Sequence, residues 1–185
     1  MSFSHDLCQA DDSLLVLIDI QTRLSAAMPQ ASRTQVIKNA GVLAQAASNL
    51  GIDLVITRQY PRGLGDTEPE IPAQAARIID KTAFSCFRAD SFPQILEQSA
   101  RHQIILAGME SHVCVLQTAF DLRAEGYQVF VVEDAVCSRS DSNHRNAMRR
   151  MAQRGITITN TESTLFEWLR EADHPQFKQI SALIK

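Results

Sequence analysis

The sequence predicts an α/β protein: a three-layer α/β/α arrangement around a Rossmann-like open parallel sheet of about six strands, with helices on both faces. Two observations predict it. Short runs rich in apolar and β-branched residues recur along the chain, and they alternate with segments whose apolar residues follow helical spacing. Strands separated by helices pair in parallel through right-handed crossovers, so the helices are expected to cover both faces of the sheet.

The predicted strands are short apolar runs that lack polar alternation, as strands buried on both faces do. They cover residues 14–19, 53–58, 103–107, 128–133 and 156–159, with a weaker candidate at 77–80. Chain breakers follow the second strand, because residues 59–73 contain Pro61, Gly63, Gly65, Pro69 and Pro72. This segment is predicted to be a loop at the ligand-binding edge of the sheet, forming a lid or a wall for a substrate.

Three helices are predicted from apolar residues at intervals of three and four. The first ends at Leu50, and Gly51 follows where a left-handed residue often ends a helix. The second covers residues 112–125 before Gly126, and the third covers 143–154 with Asp141 or Ser142 as its N-cap.

Length and composition set the broad class of the protein. A chain of 185 residues with 45% hydrophobic and 21% charged residues is expected to form a single globular domain over 1–185. The longest apolar run, 14–18, is far shorter than the roughly 20 residues of a spanning helix, and no export signal is visible. A formal charge of −3 gives no general attraction to nucleic acid or membranes. We therefore expect a cytoplasmic protein that acts on a small molecule.

Three reactive residues follow strands in this prediction: Asp19, Lys81 and Cys114. The carboxyl ends of parallel strands meet at one edge of the sheet, so these side chains are expected to face one crevice. Cys114 is predicted to lie in the first turn of a helix, where the helix dipole and Lys81 would lower the pKa of its thiol. Asp19 could then take the thiol proton and return it to a leaving nitrogen.

The other three cysteines have weaker cases for chemistry. None of the four forms a CxxC pair, which disfavours a zinc knuckle or a disulfide framework. Cys8 is predicted to lie in a loose N-terminal tail, whereas Cys86 and Cys137 are more simply explained by packing.

Three stretches together resemble the isochorismatase-like cysteine hydrolases, a superfamily that includes nicotinamidases and carbamoyl-amide hydrolases. They are LLVLIDIQ with Asp19, DKTAFSCF with Lys81, and AGMESHVCVLQTAFDLRAEGYQVFVVEDAVCSR with Cys114. The segment ITRQYPRGLG is similar to that of a metal-independent branch of isochorismatase-domain proteins. The resemblance extends over nearly the whole chain.

This resemblance implies roles for particular residues. Asp19 would be the base, Lys81 its electrostatic partner, and Cys114 a nucleophile that forms a thioester for water to hydrolyse. A cis peptide bond is implied at Met109–Glu110, with the backbone N–H groups of Glu110 and Cys114 forming the oxyanion hole. The resemblance also implies a homo-oligomer, as a dimer or a larger assembly.

The sequence departs from the nicotinamidases at their metal site. Where those proteins carry Asp-x-His, this chain has Arg58, Gln59 and Tyr60, and its five histidines show no metal-ligand spacing, so no metal or other cofactor is predicted. Gln59 could orient a substrate carbonyl or water, or simply anchor a loop. Tyr60, Phe84 and Phe87 could form an apolar wall for the substrate, or belong to the core.

Other functions remain open at this point. A non-catalytic oligomeric scaffold could use the same fold. Hydrolysis of a vinyl ether, as in true isochorismatases, would not require the thiol of Cys114. A thiol redox protein would need a resolving cysteine, for which Cys86 and Cys137 are candidates. The thiol favours an amide, ureido or related C–N substrate.

Overall fold

The computed structural model describes residues 6–185 and contains a six-stranded parallel sheet with helices on both faces. The predicted fold class is confirmed. The strands are β1 (Ser13–Ile18), β2 (Asp53–Gln59), β3 (Arg77–Lys81), β4 (Gln103–Met109), β5 (Gln128–Cys137) and β6 (Thr157–Thr159), in the spatial order β3-β2-β1-β4-β5-β6.

Eight α-helices accompany the strands within the described residues. They are α1 (Thr22–Ser25), α2 (Gln30–Leu50), α3 (Pro61–Leu64), α4 (Phe92–Ser99), α5 (Leu116–Ala124), α6 (Asp141–Ala152), α7 (Thr161–Leu169) and α8 (Phe177–Ala182). Two 3-10 turns, Ala10–Asp12 and Cys86–Arg88, and a π-helical turn at Ser111–Val115 complete the backbone. No helix within residues 6–185 is long and apolar enough to cross a membrane.

Successive residues of the strands face opposite sides of the sheet and build two separate cores. Leu15 and Leu17 of β1 pack in the core that includes residues of α2, α7 and α8. Leu14, Val16 and Ile18 point to the other side, into the core formed with α4, α5 and α6. From Leu14 to Ile18 both faces of β1 are therefore apolar, which explains why this run shows no polar alternation.

The sheet order creates a switch point between β1 and β4. From β1 the chain adds β2 and β3 on one side, then returns to add β4, β5 and β6 on the other. The crossovers leave the neighbouring ends of β1 and β4 in opposite directions and open a crevice between them. Asp19 follows β1 and Cys114 follows β4, so both flank this crevice.

Among the predicted strands, the one at 128–133 differs most in extent from that of the structure. β5 continues to Cys137, four residues beyond its predicted end, and the register between β4 and β5 shifts between Leu106 and Gly108. Cys137 therefore ends the strand instead of following it. The acidic pair Glu133 and Asp134 interrupts the apolar run in the sequence, but pairing with β4 carries the strand past it.

The helices of the structure differ from the predicted ones in their boundaries and in their number. The helix predicted over 112–125 begins with the separate π-helical turn, and α6 begins at Asp141 with Ser140 in the N-cap position. Asp141 and Ser142 lie inside α6, so the predicted N-cap was wrong. The prediction also omitted α1, α4, α7 and α8, and the short helix α3 lies within the predicted loop.

The segment after β2 is tied closely to the rest of the molecule. The buried side chain of Gln21 donates to the carbonyl oxygens of Gln59 at 3.1 Å and Gly65 at 2.7 Å, and it accepts from the backbone N–H of Gln59. Arg58 pairs with Asp80 and Asp66, both at 2.7 Å. These contacts fit a fixed wall better than a mobile lid.

Cys8 does not lie in a loose tail. Its side chain is fully buried, its backbone N–H donates to Glu167 at 2.7 Å, and its carbonyl oxygen accepts from Arg170 at 2.8 Å. The packing of Cys8 against the α2 side of the sheet could not be predicted from the sequence, because its partners Glu167 and Arg170 lie about 160 residues away along the chain. All four cysteines are free and buried.

Gly108 allows β4 to lie close to β1 beside the crevice. Its φ is +126°, and a Cβ atom built there would lie 2.0 Å from the carbonyl oxygen of Ile18. We expect Gly108→Ala to destabilise the protein by about 1–3 kcal/mol, because the clash involves backbone that cannot rotate away.

Urea unfolding at pH 7 measures this effect, with Gly51→Ala as the matched control. Gly51 also has a positive φ, +70°, but a Cβ atom there has no neighbour within 4 Å. A loss of stability no larger for Gly108→Ala than for Gly51→Ala would contradict the close approach of the two strands.

Candidate active site

Asp19 lies immediately after β1 in a left-handed conformation, with a φ of 52°. Regular alternation would direct this odd-numbered residue to the α2 side, like Leu15 and Leu17. The positive φ, which Asp tolerates better than most residues, turns the chain at this position instead. The carboxylate is fully buried, with Thr57 donating to Oδ1 at 2.7 Å and Lys81 donating to Oδ2 at 2.6 Å.

Lys81 ends β3, and its side chain is entirely buried. Its Nζ donates to Asp19 Oδ2 at 2.6 Å, Gln59 Oε1 at 2.8 Å, and the carbonyl oxygens of Phe84 at 3.1 Å and Ala83 at 3.3 Å. Burial is the largest single influence on the pKa of Lys81 and acts to lower it, but the charge of Asp19, the neighbouring Cys86 and Cys114 and the hydrogen bond to Asp19 together raise the pKa. The ammonium is therefore charged at neutral pH and held by acceptors on several sides.

Cys114 lies in the π-helical turn between β4 and α5, and only 5% of its surface is exposed. Burial raises the pKa of the thiol, and the negative charge of the neighbouring Asp19 raises it further, against the opposite effect of Lys81. The expectation of a lowered pKa was wrong, because the helix-terminus argument left out burial and the Asp19 charge. In the free protein Cys114 is a thiol whose proton lies next to a carboxylate.

This electrostatic balance gives a sharp prediction for Asp19→Asn. Removing the carboxylate charge is expected to lower the pKa of Cys114, since burial and Lys81 remain while the nearest negative charge is lost. Alkylation by iodoacetamide across a pH series, with mass spectrometry to separate the four thiols, measures this pKa. Asp53→Asn, at the opposite end of β2, is the control and should leave the profile unchanged. A higher pKa for Cys114 in Asp19→Asn would contradict the arrangement.

The four predicted substrate residues divide into two groups. The Gln59 carboxamide is already engaged, since it accepts from Lys81 at 2.8 Å and donates to the carbonyl oxygen of Thr82 at 2.7 Å. Its contacts agree with the anchoring alternative. Tyr60 and Phe84 are 56% and 53% exposed, and Phe87 is partly buried against the α5 side of the sheet. The exposed rings are not core residues, which leaves them available for a ligand.

Tyr60 has a constrained position beside Lys81. Its φ is +38°, its backbone N–H donates to the carbonyl oxygen of Lys81 at 2.8 Å, and its ring approaches Gly63 so closely that a Cβ atom there would lie 2.5 Å away. Together with Arg62 and Thr82 it lines a groove of about 330 Å³. The ring is thus held at the surface by the local backbone.

Two buried residues that support the site were missed by the sequence analysis. Gln21 positions the start of the segment after β2, and Thr57 donates to Asp19. Both lie within the quoted motifs LLVLIDIQ and ITRQYPRGLG. The signal that could have found them is a polar residue in an otherwise apolar strand end, because a buried polar group needs a partner.

The peptide bond between Met109 and Glu110 is cis. Glu110 is buried, and its carboxylate accepts from the backbone N–H of Arg139 at 2.9 Å and from the Arg139 guanidinium at 3.2 Å. Ser111 and His112 of the π-helical turn contact His144 and Ser138, each at 3.0 Å. These contacts fix the backbone that leads into Cys114.

No group of three or more His, Cys, Asp or Glu residues within 6–185 is arranged to hold a metal ion. At the position of the nicotinamidase ligands, Arg58 is occupied by its ion pairs with Asp66 and Asp80. A guanidinium at this place is not a metal ligand. What the site offers is a thiol, a carboxylate and an ammonium in contact.

Comparison with known proteins places this geometry among related chains. The model of the isochorismatase domain matches residues 13–163. The sequence is 37% identical to isochorismatase domain-containing protein 2 of Danio rerio over 172 residues, which cover 93% of this chain and 86% of that protein.

Solved structures agree with the sequence comparison. A structure described as a MAR1 ribonuclease from Caenorhabditis elegans has a TM-score of 0.89 and 35% identity, covering 96% of this chain and 92% of that one. An octameric hydrolase of unknown specificity from Escherichia coli has a TM-score of 0.91 at 22% identity, covering 99% and 91% of the two chains. The second similarity concerns the fold alone.

Proposed function

The chain belongs to the isochorismatase domain family, and from this premise we propose that it is a small-molecule hydrolase that cleaves an amide-like C–N bond through a thioester on Cys114. The observation that carries the proposal is the buried contact of three groups: the Cys114 thiol, the Asp19 carboxylate and the Lys81 ammonium. In this proposal Cys114 supplies the nucleophile, Asp19 the base, and Lys81 a positive charge beside the base.

In the first half of the reaction Asp19 accepts the thiol proton as the Cys114 sulfur attacks the carbonyl carbon. A thiol with a raised pKa needs such a base, because little thiolate exists before the substrate arrives. Asp19 then gives the proton to the leaving nitrogen, the C–N bond breaks, and an amine and a thioester result.

In the second half a water molecule attacks the thioester carbonyl. Asp19 accepts a proton from the water and passes it to the leaving sulfur, which yields a carboxylic acid and the free thiol. Lys81 remains charged throughout and stabilises Asp19 as the carboxylate. The backbone N–H groups of Glu110 and Cys114 form the oxyanion hole in this proposal, a role typically worth about 3–4 kcal/mol in the transition state.

The substrate site in this proposal lies next to Tyr60, Phe84 and Phe87. Exposed aromatic rings at the edge of a buried polar site can cover the apolar part of a small ligand. The low exposure of Cys114 favours a compact substrate over a polymer, which argues against the RNA cleavage suggested by the description of the C. elegans structure.

The test is turnover of a panel of small amides and ureido compounds, followed by ammonia release, with intact-protein mass spectrometry of rapidly quenched samples. We expect a mass increase equal to the acyl group, located on Cys114 after digestion. Hydroxylamine should divert this intermediate to a hydroxamate.

The alternatives give different results in the same experiment. Vinyl ether hydrolysis would release a carbonyl product without acylating Cys114. A scaffold would show neither turnover nor acylation, and a redox protein would form a disulfide after mild peroxide. RNA digestion by the wild type, unaffected by loss of Cys114, would favour a nuclease.

A homo-oligomer is also part of the proposal, supported by the resemblance to a superfamily in which dimers and larger assemblies are common. Size-exclusion chromatography with light scattering tests it. A monomer at micromolar concentration would contradict it.

A further inference from the structure

Cys86 is a buried thiol that the proposed mechanism does not use. It begins the 3-10 turn after β3 and is fully buried. Its backbone N–H donates to Thr118 Oγ1 at 2.9 Å, and its Sγ lies 3.7 Å from Thr57 Oγ1. Cys86 therefore joins β2, at Thr57, to α5, the helix that follows Cys114.

The Thr57 hydroxyl connects this thiol to the candidate base. Thr57 Oγ1 donates to Asp19 Oδ1 at 2.7 Å and accepts from the Cys86 thiol. Burial, followed by the charge of Asp19, raises the pKa of Cys86 to about 11, so at neutral pH it remains a thiol and can donate. A hydroxyl has a single hydrogen, and with Cys86 as the donor to its oxygen that hydrogen is directed at Asp19.

We propose that Thr57 is a positioning residue for Asp19, and that Cys86 orients the Thr57 hydroxyl; the inference rests on the proposed function. Two donors hold the carboxylate, one on each oxygen: Thr57 on Oδ1 and Lys81 on Oδ2. Rotation of the carboxylate about its Cβ–Cγ bond would break both hydrogen bonds. The base is thereby fixed in the orientation that faces Cys114.

Loss of the Thr57 hydroxyl has two expected consequences for the reaction. The carboxylate becomes free to turn away from the thiol, which lowers kcat more than it affects substrate binding. Substrate binding does not depend on the orientation of the Asp19 carboxylate, so KM changes little. Loss of a residue that serves only packing would not lower kcat selectively while leaving KM nearly unchanged.

The experiment compares Thr57→Val, Thr57→Ser and Cys86→Ala with the wild type, using the amide that the wild-type enzyme hydrolyses best. For Thr57→Val we expect kcat to fall by about tenfold to hundredfold, as for a lost hydrogen bond to a charged group, with KM changed less than about twofold. Serine keeps the hydroxyl and should restore kcat. Cys86→Ala should lower kcat by a few fold, because the hydroxyl then loses only its orientation.

Matched controls separate positioning from general loss of packing. Thr164→Val removes another fully buried threonine hydroxyl, which donates to the carbonyl oxygen of Asn160 at 2.9 Å, and Cys8→Ala removes another fully buried thiol. Neither touches Asp19, so both should leave kcat unchanged. Urea unfolding of every variant shows whether the fold is kept.

The outcomes of these measurements distinguish a failure of this inference from a failure of the proposed function. An unchanged kcat in Thr57→Val overturns the inference while leaving the proposed function in place. Failure of Thr57→Ser to restore kcat, or an equal loss in Thr164→Val, reduces Thr57 to a packing role and also overturns it. If Asp19→Asn and Cys114→Ala retain full turnover, the proposed function fails and the positioning role fails with it.

Discussion

Cys114→Ala is expected to reduce amide hydrolysis by about 10⁴-fold or more, because the thioester cannot form without the sulfur and removal of a nucleophile typically costs this much. The fold should survive, since the side chain is small and its neighbours in the apolar core can close around alanine. Initial rates with saturating substrate and thermal unfolding of the same preparation measure the two effects together.

Cys8→Ala is the control for this substitution. Cys8 is another buried thiol but lies in the core on the opposite side of the sheet, so its loss should leave the rate unchanged. Turnover by Cys114→Ala within tenfold of the wild type would rule out the thioester and favour protonation chemistry of the vinyl ether type.

Lys81→Met is expected to reduce the free energy of unfolding by about 3–5 kcal/mol at pH 7, because it leaves the buried Asp19 carboxylate without its cation. Urea unfolding at pH 7 measures this loss.

The double variant Asp19→Asn/Lys81→Met is expected to recover much of this loss, because replacing both members of a buried ion pair removes the unpaired charge. In the wild type the pKa of Lys81 is raised above its ordinary value of 10.5. The stability that arises from this raised pKa is therefore complete at neutral pH and is lost as the pH rises through the raised value in the folded protein.

An exposed ion pair supplies the control for the stability measurement. Arg145 and Asp141 are paired one turn apart on the surface of α6, and such pairs contribute only about 0–1 kcal/mol. An effect of Lys81→Met as small as that of Arg145→Met would mean that Asp19 is solvated or neutral, and it would remove the electrostatic basis of the proposed mechanism.

Much of the fold could be predicted because its determinants are local. β1 and β4 are apolar on both faces, and Gly51 ends α2 with a φ of +70° as its position in the sequence predicted. α4 and α7 were missed although local signals exist, Pro93 in the first turn of α4 and Asn160 as the N-cap of α7, whose side chain accepts from the Ser163 backbone. Both helices are short, so few apolar positions recur to reveal their period.

The sequence by itself determined the α/β class and the positions of Asp19, Lys81 and Cys114 after strands, because the ends of strands can be predicted from apolar runs. Only the tertiary structure decided how these groups meet. The left-handed turn at Asp19, the hydrogen bond from Thr57 to Asp19, the hydrogen bond from Lys81 to Gln59, and the raised pKa of Cys114 all depend on burial and on partners from other strands. Electrostatic energies depend on distance and desolvation, and neither is encoded in the spacing of residues along a chain.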